Sequence, residues 1–502
     1  MMMTMKTNTK MKMKNKIFAL ILILSVSFTA NASELTDTAD KDWLELVRRY
    51  TSEDLTENFE RAENDYKWQK LVSKSKKSDS FLSEWWETLG DDVLTELINE
   101  AFLKNRDLMS ARSKVLEARA QLGITRTNFN PKVDFQSKYK NGRNSDIEDI
   151  DKKSYNEYSF GFDSSWEIDF FGKNKHLLES AKAELESESS NLDNAWVSLS
   201  AEVALNYFNL RILQKRLEIA EKKLKVQSEF LEILQSQRDS GLIDDLAVQK
   251  AHSELELTRS NIPEISRSIN ELMNALAILT GEIPGNLNEK LSAVKDFPDI
   301  KIEKLIGIPA ETLRQRPDIR AAEKQLEAQI QKRKAAEKSL YPTIRLTGSI
   351  GLESFSTGHL FSSGSYTYSI SPVLNLPIFN GGEIRKNIQV QTAVEEQLLA
   401  KFEGLILKAV GEVKDALNAN AQEILRNEFL KSALKSAISN LEITKNKYSQ
   451  GLINFTDVLN SQMEVYSLED NFVLSEEQKI TNLIVLFKSL GGGWRLFEEK
   501  LL

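Results

Sequence analysis

The sequence contains no cysteine and only three histidines, His176, His252 and His359, which lie far apart. Disulfides and thiol catalysis are thereby excluded, and a zinc site of the usual Cys/His composition lacks its ligands. No segment beyond the N-terminal region is apolar for long enough to read as a transmembrane helix. No nucleophile–base pair, phosphate-binding loop or metal cluster stands out, since the carboxylates are dispersed over helix faces. An enzyme is therefore the weakest reading, and no cofactor or metal is expected. With 74 acidic against 66 basic residues the formal charge is −8, which does not invite nucleic acid. Glycine and proline are missing altogether from the 68 residues Lys173–Ser240, which Gly172 and Gly241 bracket.

That last absence marks the dominant element. Leu192, Trp196, Leu199, Val203, Leu210, Leu213, Leu217, Ala220, Leu224, Leu231 and Leu234 recur in steps of three and four, interrupted at Asn206 and Gln227. The spacing predicts one continuous helix with a coiled-coil seam against neighbours. Such a helix is about 100 Å long, about three times the hydrocarbon core of a bilayer.

Residues 1–32 read as a signal peptide. Lys6, Lys10, Lys12, Lys14 and Lys16 precede an apolar run from Ile17 to Phe28, and Ala30-Asn31-Ala32 follows as a small-x-small cleavage pattern. Removing this leader takes five positive charges away, leaving an exported chain with a balance of −13 and three of its nine methionines.

Past this leader the chain is built twice. An amphipathic helix starts at Asp91 (Leu94, Leu97, Ile98, Ala101, Phe102) and resumes after Asn105 towards Pro131. Two alternating runs follow: Val133, Phe135 and Tyr139, then Tyr158, Phe160, Phe162 and Trp166, each opposed by polar residues. After the long helix and Gly241, a second helix returns from about Asp244 to Leu279, where Pro263 should kink or break it. Then Asn105-Arg106-Asp107-Leu108 and Pro131 recur 211 residues on, as Arg316-Pro317-Asp318-Ile319 and Pro342. Glu202-Val203, Gly241-Leu242-Ile243 and Gly281 recur 210 residues on, at Glu412-Val413, Gly451-Leu452-Ile453 and Gly491. The second long helix keeps its heptad frame except at Asn420, Glu423 and Asn427. A tandem duplication of helix, hairpin, long helix, turn and return helix results.

Strands that are apolar on one face and polar on the other, about ten residues long, match the pattern of transmembrane β-barrels, although a small soluble sheet is also compatible. Four strands cannot close a barrel, and an open edge is not tolerated in lipid. The seams of the helices need neighbours too. A ring of identical chains satisfies both demands.

Several segments carry a resemblance to the TolC-like outer-membrane channels, in particular the NodT/OprM-like branch of tripartite efflux systems. They are Ser165-Trp166-Glu167-Ile168-Asp169-Phe170-Phe171-Gly172-Lys173, the run Leu313 to Glu323, Leu376-Pro377-Ile378-Phe379-Asn380-Gly381-Gly382, Tyr448-Ser449-Gln450-Gly451-Leu452-Ile453 and Leu490-Gly491-Gly492-Gly493-Trp494. The resemblance implies a mainly α chain with a transmembrane β element: long-helix hairpins forming an α-barrel across the periplasm, and four strands per chain in a shared 12-stranded barrel of a homotrimer. It assigns 33–99 to an N-terminal equatorial segment and 281–317 to a proline-rich equatorial linker. The first repeat is then 100–280, with hairpin 132–166 and long helix 173–240. The second is 318–490, with hairpin 343–374 and long helix 383–450, and 491–502 is a C-terminal tail. The partners implied are a periplasmic adaptor, an inner-membrane pump and outer-membrane lipid. Members of this branch usually carry an acylated cysteine, and this sequence has none, so anchoring by a thioether-linked lipid is excluded.

At the ends of the long helices, the resemblance makes Gly241, Leu242, Ile243, Gly451, Leu452 and Ile453 adaptor-contacting tips. Gly241 and Gly451 suit a left-handed helix stop, with the following leucine packing back on the last turn, and Asp244 and Asn454 suit N-caps. Asp457 matches an aspartate that rings the periplasmic constriction, Asn460 a second such position without charge, and Tyr448 a tyrosine that ties neighbouring helices closed. Arg238 could pair across that interface. The bland reading of Asp457 is a carboxylate in the first turn of a capped helix. Function then divides between the exit duct of an efflux pump and the outer-membrane component of type I protein secretion. A periplasmic coiled-coil adaptor or scaffold is the alternative of another class.

Overall fold

A computed structural model describes residues 84–143, 154–293 and 315–493. The leader, most of 33–99, the loop 144–153, the linker residues 294–314 and the tail from Trp494 lie outside the described residues. The chain divides into two units, and 1–77 with 301–310 falls among these; the unit of 78–300 and 311–502 is the one described.

Two short helices open it, α1 (Asp92–Lys104) and α2 (Arg106–Arg126). Each start is fixed by a side chain. The Asp91 carboxylate accepts the Val93 N–H at 2.9 Å, and the Asn105 amide oxygen accepts that of Leu108 at 2.9 Å. β1 (Lys132–Gly142), β2 (Tyr155–Ile168), the long α3 (Lys173–Asp239) and the return helix α4 (Asp245–Leu279) complete the first repeat. After the short α5 (Asn288–Ser292) come α6 (Pro317–Lys338), β3 (Thr343–Ser354), β4 (Tyr366–Asn375), α7 (Glu383–Ser449) and α8 (Phe455–Ser489). The two long helices are both 67 residues and the two return helices both 35. α4 is not broken at Pro263, which sits inside one continuous helix on an exposed position.

The strands form a single antiparallel sheet in the order β1-β2-β3-β4. Its register aligns the aromatic and aliphatic residues of one face, Phe135 with Phe162, Phe162 with Ile350, and Ile350 with Tyr368, while Val373 lies on the other face opposite Arg345. The other face collects Lys138, Ser159, Arg345, Ser349 and Ser369, in the same register. Because side chains alternate with period two, a one-residue slip would exchange the faces completely. The apolar face is exposed within the protomer, Phe135, Phe162, Tyr368 and Ile370 included. The outer strands β1 and β4 each keep one edge unpaired in the protomer.

α3 is the hub of the helical part. It packs against α1, α2, α4, α6 and α8, so it buries several faces rather than the one seam its heptads predict. The tightest packing lies where the short helices meet its middle. Phe102 meets Trp196 edge-on at 4.5 Å, Trp85 stacks on Phe487 at 5.0 Å, and Tyr207 donates its hydroxyl to Asp91 at 2.5 Å. Burial and that carboxylate push the Tyr207 phenol well above its usual range.

The duplication reappears in the hydrogen bonds. Asn105 donates its amide to the Leu279 carbonyl at 3.0 Å, and its twin Arg316 donates to the Ser489 carbonyl at 2.8 Å. Arg316 is buried and also bonds Asp318 at 2.7 Å and Glu412 at 2.9 Å. Burial pulls the guanidinium down and the two carboxylates more than reverse it, leaving it raised overall.

Candidate functional site at the hairpin tips

Both long helices end in the same motif. At the first tip the Gly241 N–H reaches the Arg238 carbonyl at 2.8 Å and the Leu242 N–H reaches that of Gln237 at 2.9 Å. At the second the Gly451 N–H reaches Tyr448 at 2.9 Å and the Leu452 N–H reaches Lys447 at 3.0 Å. This is the Schellman arrangement, which needs a left-handed residue at the glycine. Gly241 and Gly451 have φ of 71° and 73°.

The leucines that follow do not pack back on their helices. Leu242 is 75% exposed and Leu452 67%. Ile243 takes the inward place, against the cluster of Leu231, Leu234, Val248, Ala251 and Leu255. Ile453 is half-buried. Each turn thus exposes its leucine, while its isoleucine is partly buried. The first turn adds an exposed Leu246, which the sequence reading overlooked.

Arg238 does not reach the other tip. Its guanidinium bonds Asp239 at 2.7 Å and Asp245 at 3.4 Å, within its own turn, and the Asp239 and Asp245 carboxylates raise its pKa. Tyr448 is exposed, with its ring centroid 5.1 Å from that of Phe455 across the second turn. Asp457 and Asn460 are both exposed on α8. One Asp457 carboxylate oxygen accepts the Asn454 N–H at 3.1 Å, which is a capping contact in the first turn. Asp244 stands at the N-cap of α4 without a side-chain cap bond. The structure thus groups Tyr448, Asp457 and Asn460 at the second turn and leaves Arg238 at the first.

Farther along the α7–α8 hairpin lies a buried polar layer. Glu423 accepts the Ser475 hydroxyl at 2.6 Å and the Arg426 guanidinium at 3.0 Å, and Asn427 donates to Ser475 at 3.3 Å. Asn482 donates to the Ala419 carbonyl at 3.1 Å, while the Asn420 side-chain oxygen has no partner among the described residues. The heptad break at Asn420, Glu423 and Asn427 signals one side of this layer in the sequence. Ser475 carries no such signal, because a serine on a polar helix is unremarkable. In the first repeat the same positions are Leu210, Leu213, Leu217 and Ile265.

No helix among the described residues is long and apolar enough to cross a membrane, and no group of metal-ligating side chains occurs among them.

The geometry has relatives. Residues 97–282 and 308–492 match the family model described as outer membrane efflux protein, once per repeat. The cation efflux system protein CusC of Escherichia coli O6:H1 is 29% identical over 424 residues, covering 83% of this chain and 90% of that protein. The probable outer membrane lipoprotein SilC of Salmonella typhimurium is 28% identical, covering 82% and 88%. The solved structure of the outer-membrane channel OprN superposes with a TM-score of 0.76 at 29% identity, over 82% of this chain and 93% of that one. With both repeats matched and the sheet and hairpins in common, the chain belongs to the outer membrane efflux protein family.

Proposed function

We propose that three copies of this chain form the outer-membrane exit duct of a tripartite efflux pump, opened from the periplasm by an adaptor and an inner-membrane pump. The observation that carries this reading is the sheet. Its apolar face is continuous over four strands and its polar face lines the other side, while both edges stay open. Such a sheet is stable in lipid only when copies close it into a barrel, with the polar face towards a water-filled lumen. The helical hairpins then extend the lumen through the periplasm. Catalysis is not part of the reading: the relatives are named as channels and efflux components. Those names include cation and toluene efflux, which fits a duct that passes what the pump delivers.

In this reading Leu242, Leu452 and the open turn backbones are the surface offered to adaptor hairpins. Asp457, repeated three times around the axis, biases the entrance towards cations. Tyr448 lies beside it, and Asn460 supplies a second, uncharged ring. Conductance of the purified protein in planar bilayers tests both levels. Asp457→Ala is expected to lose much of the cation preference while keeping a pore. An unchanged preference would leave Asp457 as a helix cap only, and absence of any conductance would sink the duct.

A further inference from the structure

The two hairpins repeat one plan, but their loops do not. Residues 143–153, between β1 and β2, include four acids and three bases. Residues 355–365, between β3 and β4, are equally many and include no Asp, Glu, Lys or Arg. They comprise five hydroxyl residues, two glycines, His359 and the apolar Phe355, Leu360 and Phe361. This loop lies at the end of the sheet away from the helices, which join the strands at Lys132, Ile168, Thr343 and Asn375.

The β3–β4 loop is closed by its own side chains. Two short turns, Thr357–His359 and Ser363–Ser365, shape it. The His359 carbonyl accepts the Ser362 hydroxyl at 2.7 Å and the Ser365 hydroxyl as well, and the Ser354 hydroxyl reaches the Ser356 carbonyl at 2.9 Å. Leu360 is 4% exposed, whereas its neighbour Phe361 is 80% exposed. A loop braced in this way presents a fixed surface, and Phe361 is held out from it.

The loop also changes sides. Phe355 meets Tyr155 edge-on at 6.1 Å, and Tyr155 lies under the Lys140 ammonium on the polar side of the sheet. The Phe361 ring instead lies 6.5 Å from that of Phe160, which shares the apolar side with Phe162 and Ile350. The chain thus crosses the rim of the sheet and turns back along its apolar face, beside β2.

We propose that this loop enters the outer leaflet of the outer membrane, with Phe361 set among lipid acyl chains. This rests on the channel reading, in which the helices are periplasmic and this end faces outwards, and adds a lipid contact outside the strands. Three features select lipid as the occupant. Apolar surface runs without a break from Ile350 and Phe162 through Phe160 to Phe361. The open edges of the sheet belong to β1 and β4, so copies that close a ring do not meet at β2. The loop carries no fixed charge, and its Ser362 and Ser365 hydroxyls are bonded internally, so it leaves water at little cost. The charged residues 143–153 suit water instead.

The cysteine-free sequence allows one label at a time. Full-length Phe361→Cys, carrying an environment-sensitive NBD label, is reconstituted in phosphatidylcholine vesicles with nitroxide-labelled acyl chains. Ile350→Cys on the apolar face and Ser349→Cys on the polar face calibrate the signal. Nitroxide quenching at 361 is expected within about twofold of that at 350 and at least about fivefold above that at 349, with aqueous iodide giving the reverse order. Should Phe361→Cys not assemble, Ser363→Cys keeps the phenyl ring and reports from the same loop, again with lipid quenching above that of Ser349→Cys. A loop label that iodide reaches as readily as at 349, or that neither quencher reaches, puts the loop in water or under protein and overturns the proposal while leaving the channel. Absence of lipid quenching at 350 as well sinks the channel reading itself.

Discussion

Single residues at the helix ends divide into those the backbone requires and those it merely tolerates. Gly451 holds a left-handed conformation, so Gly451→Ala is expected to cost about 1–2 kcal/mol in denaturant unfolding. Gly411 lies inside α7 with nothing near its absent Cβ, and its twin is Ala201. Gly411→Ala is accordingly expected to stabilise by about 0.5–1 kcal/mol. Equal effects at the two sites would contradict the conformational argument. Glu477 offers a pH test. Burial raises its pKa, with Arg216 only partly opposing. A carboxylate raised in the folded state favours folding while protonated, and stability is lost as pH rises from its ordinary range through the raised value. Glu477→Gln should therefore match wild type in acid and be more stable at neutral pH. The reverse ordering in denaturation curves at the two pH values would refute the assignment.

At the scale of elements, the two helical hairpins share geometry but not composition. The α7–α8 hairpin carries the Glu423–Ser475 layer where the α3–α4 hairpin is apolar. Installing the first repeat's residues together, as Asn420→Leu, Glu423→Leu, Asn427→Leu and Ser475→Ile, is expected to raise stability by about 1–4 kcal/mol. Ser475→Ala alone removes the hydroxyl from a buried carboxylate and should cost about 1–3 kcal/mol. Thermal or denaturant unfolding of both variants checks the pair, and a stabilising single change would show that the layer is not satisfied as described. Pro263 is instructive at the same scale. Local chemistry predicts a break, since proline lacks the N–H and crowds the preceding turn. Packing of α4 along α3 carries the helix through it, with the Leu255 side and the Met273 side both buried.

For the whole molecule, the proposed ring closes through the open edges of the sheet, which pair by backbone hydrogen bonds. Trimers should persist on raising salt to about 1 M, because screening acts on charges and not on strand hydrogen bonds or apolar packing. A drop in the trimer fraction on native gels under those conditions would place charge in the seam between copies.

The sequence by itself determined the periodic features. Glycines at 172, 241, 382 and 451 bound two stretches whose apolar steps admit only long helices, and strict alternation gave four two-faced strands. The near-constant offset of the repeats showed that one architecture was used twice. These are local properties, set by backbone conformations and side-chain spacing that neighbours in the chain decide. Tertiary structure alone decided the directions of side chains and the identity of their partners. Ile243 turns inward and Leu242 outward because a cluster on α3 and α4 receives only one of them. Arg238 stays with Asp239 and Asp245 because its own turn brings two carboxylates within reach. Glu423 is buried because α8 places Ser475 opposite it. α3 buries several faces where its heptads mark one, since α1, α2, α6 and α8 all converge on it. Contacts between residues distant in sequence depend on how elements pack, and that follows from the shape and chemistry of both surfaces at once.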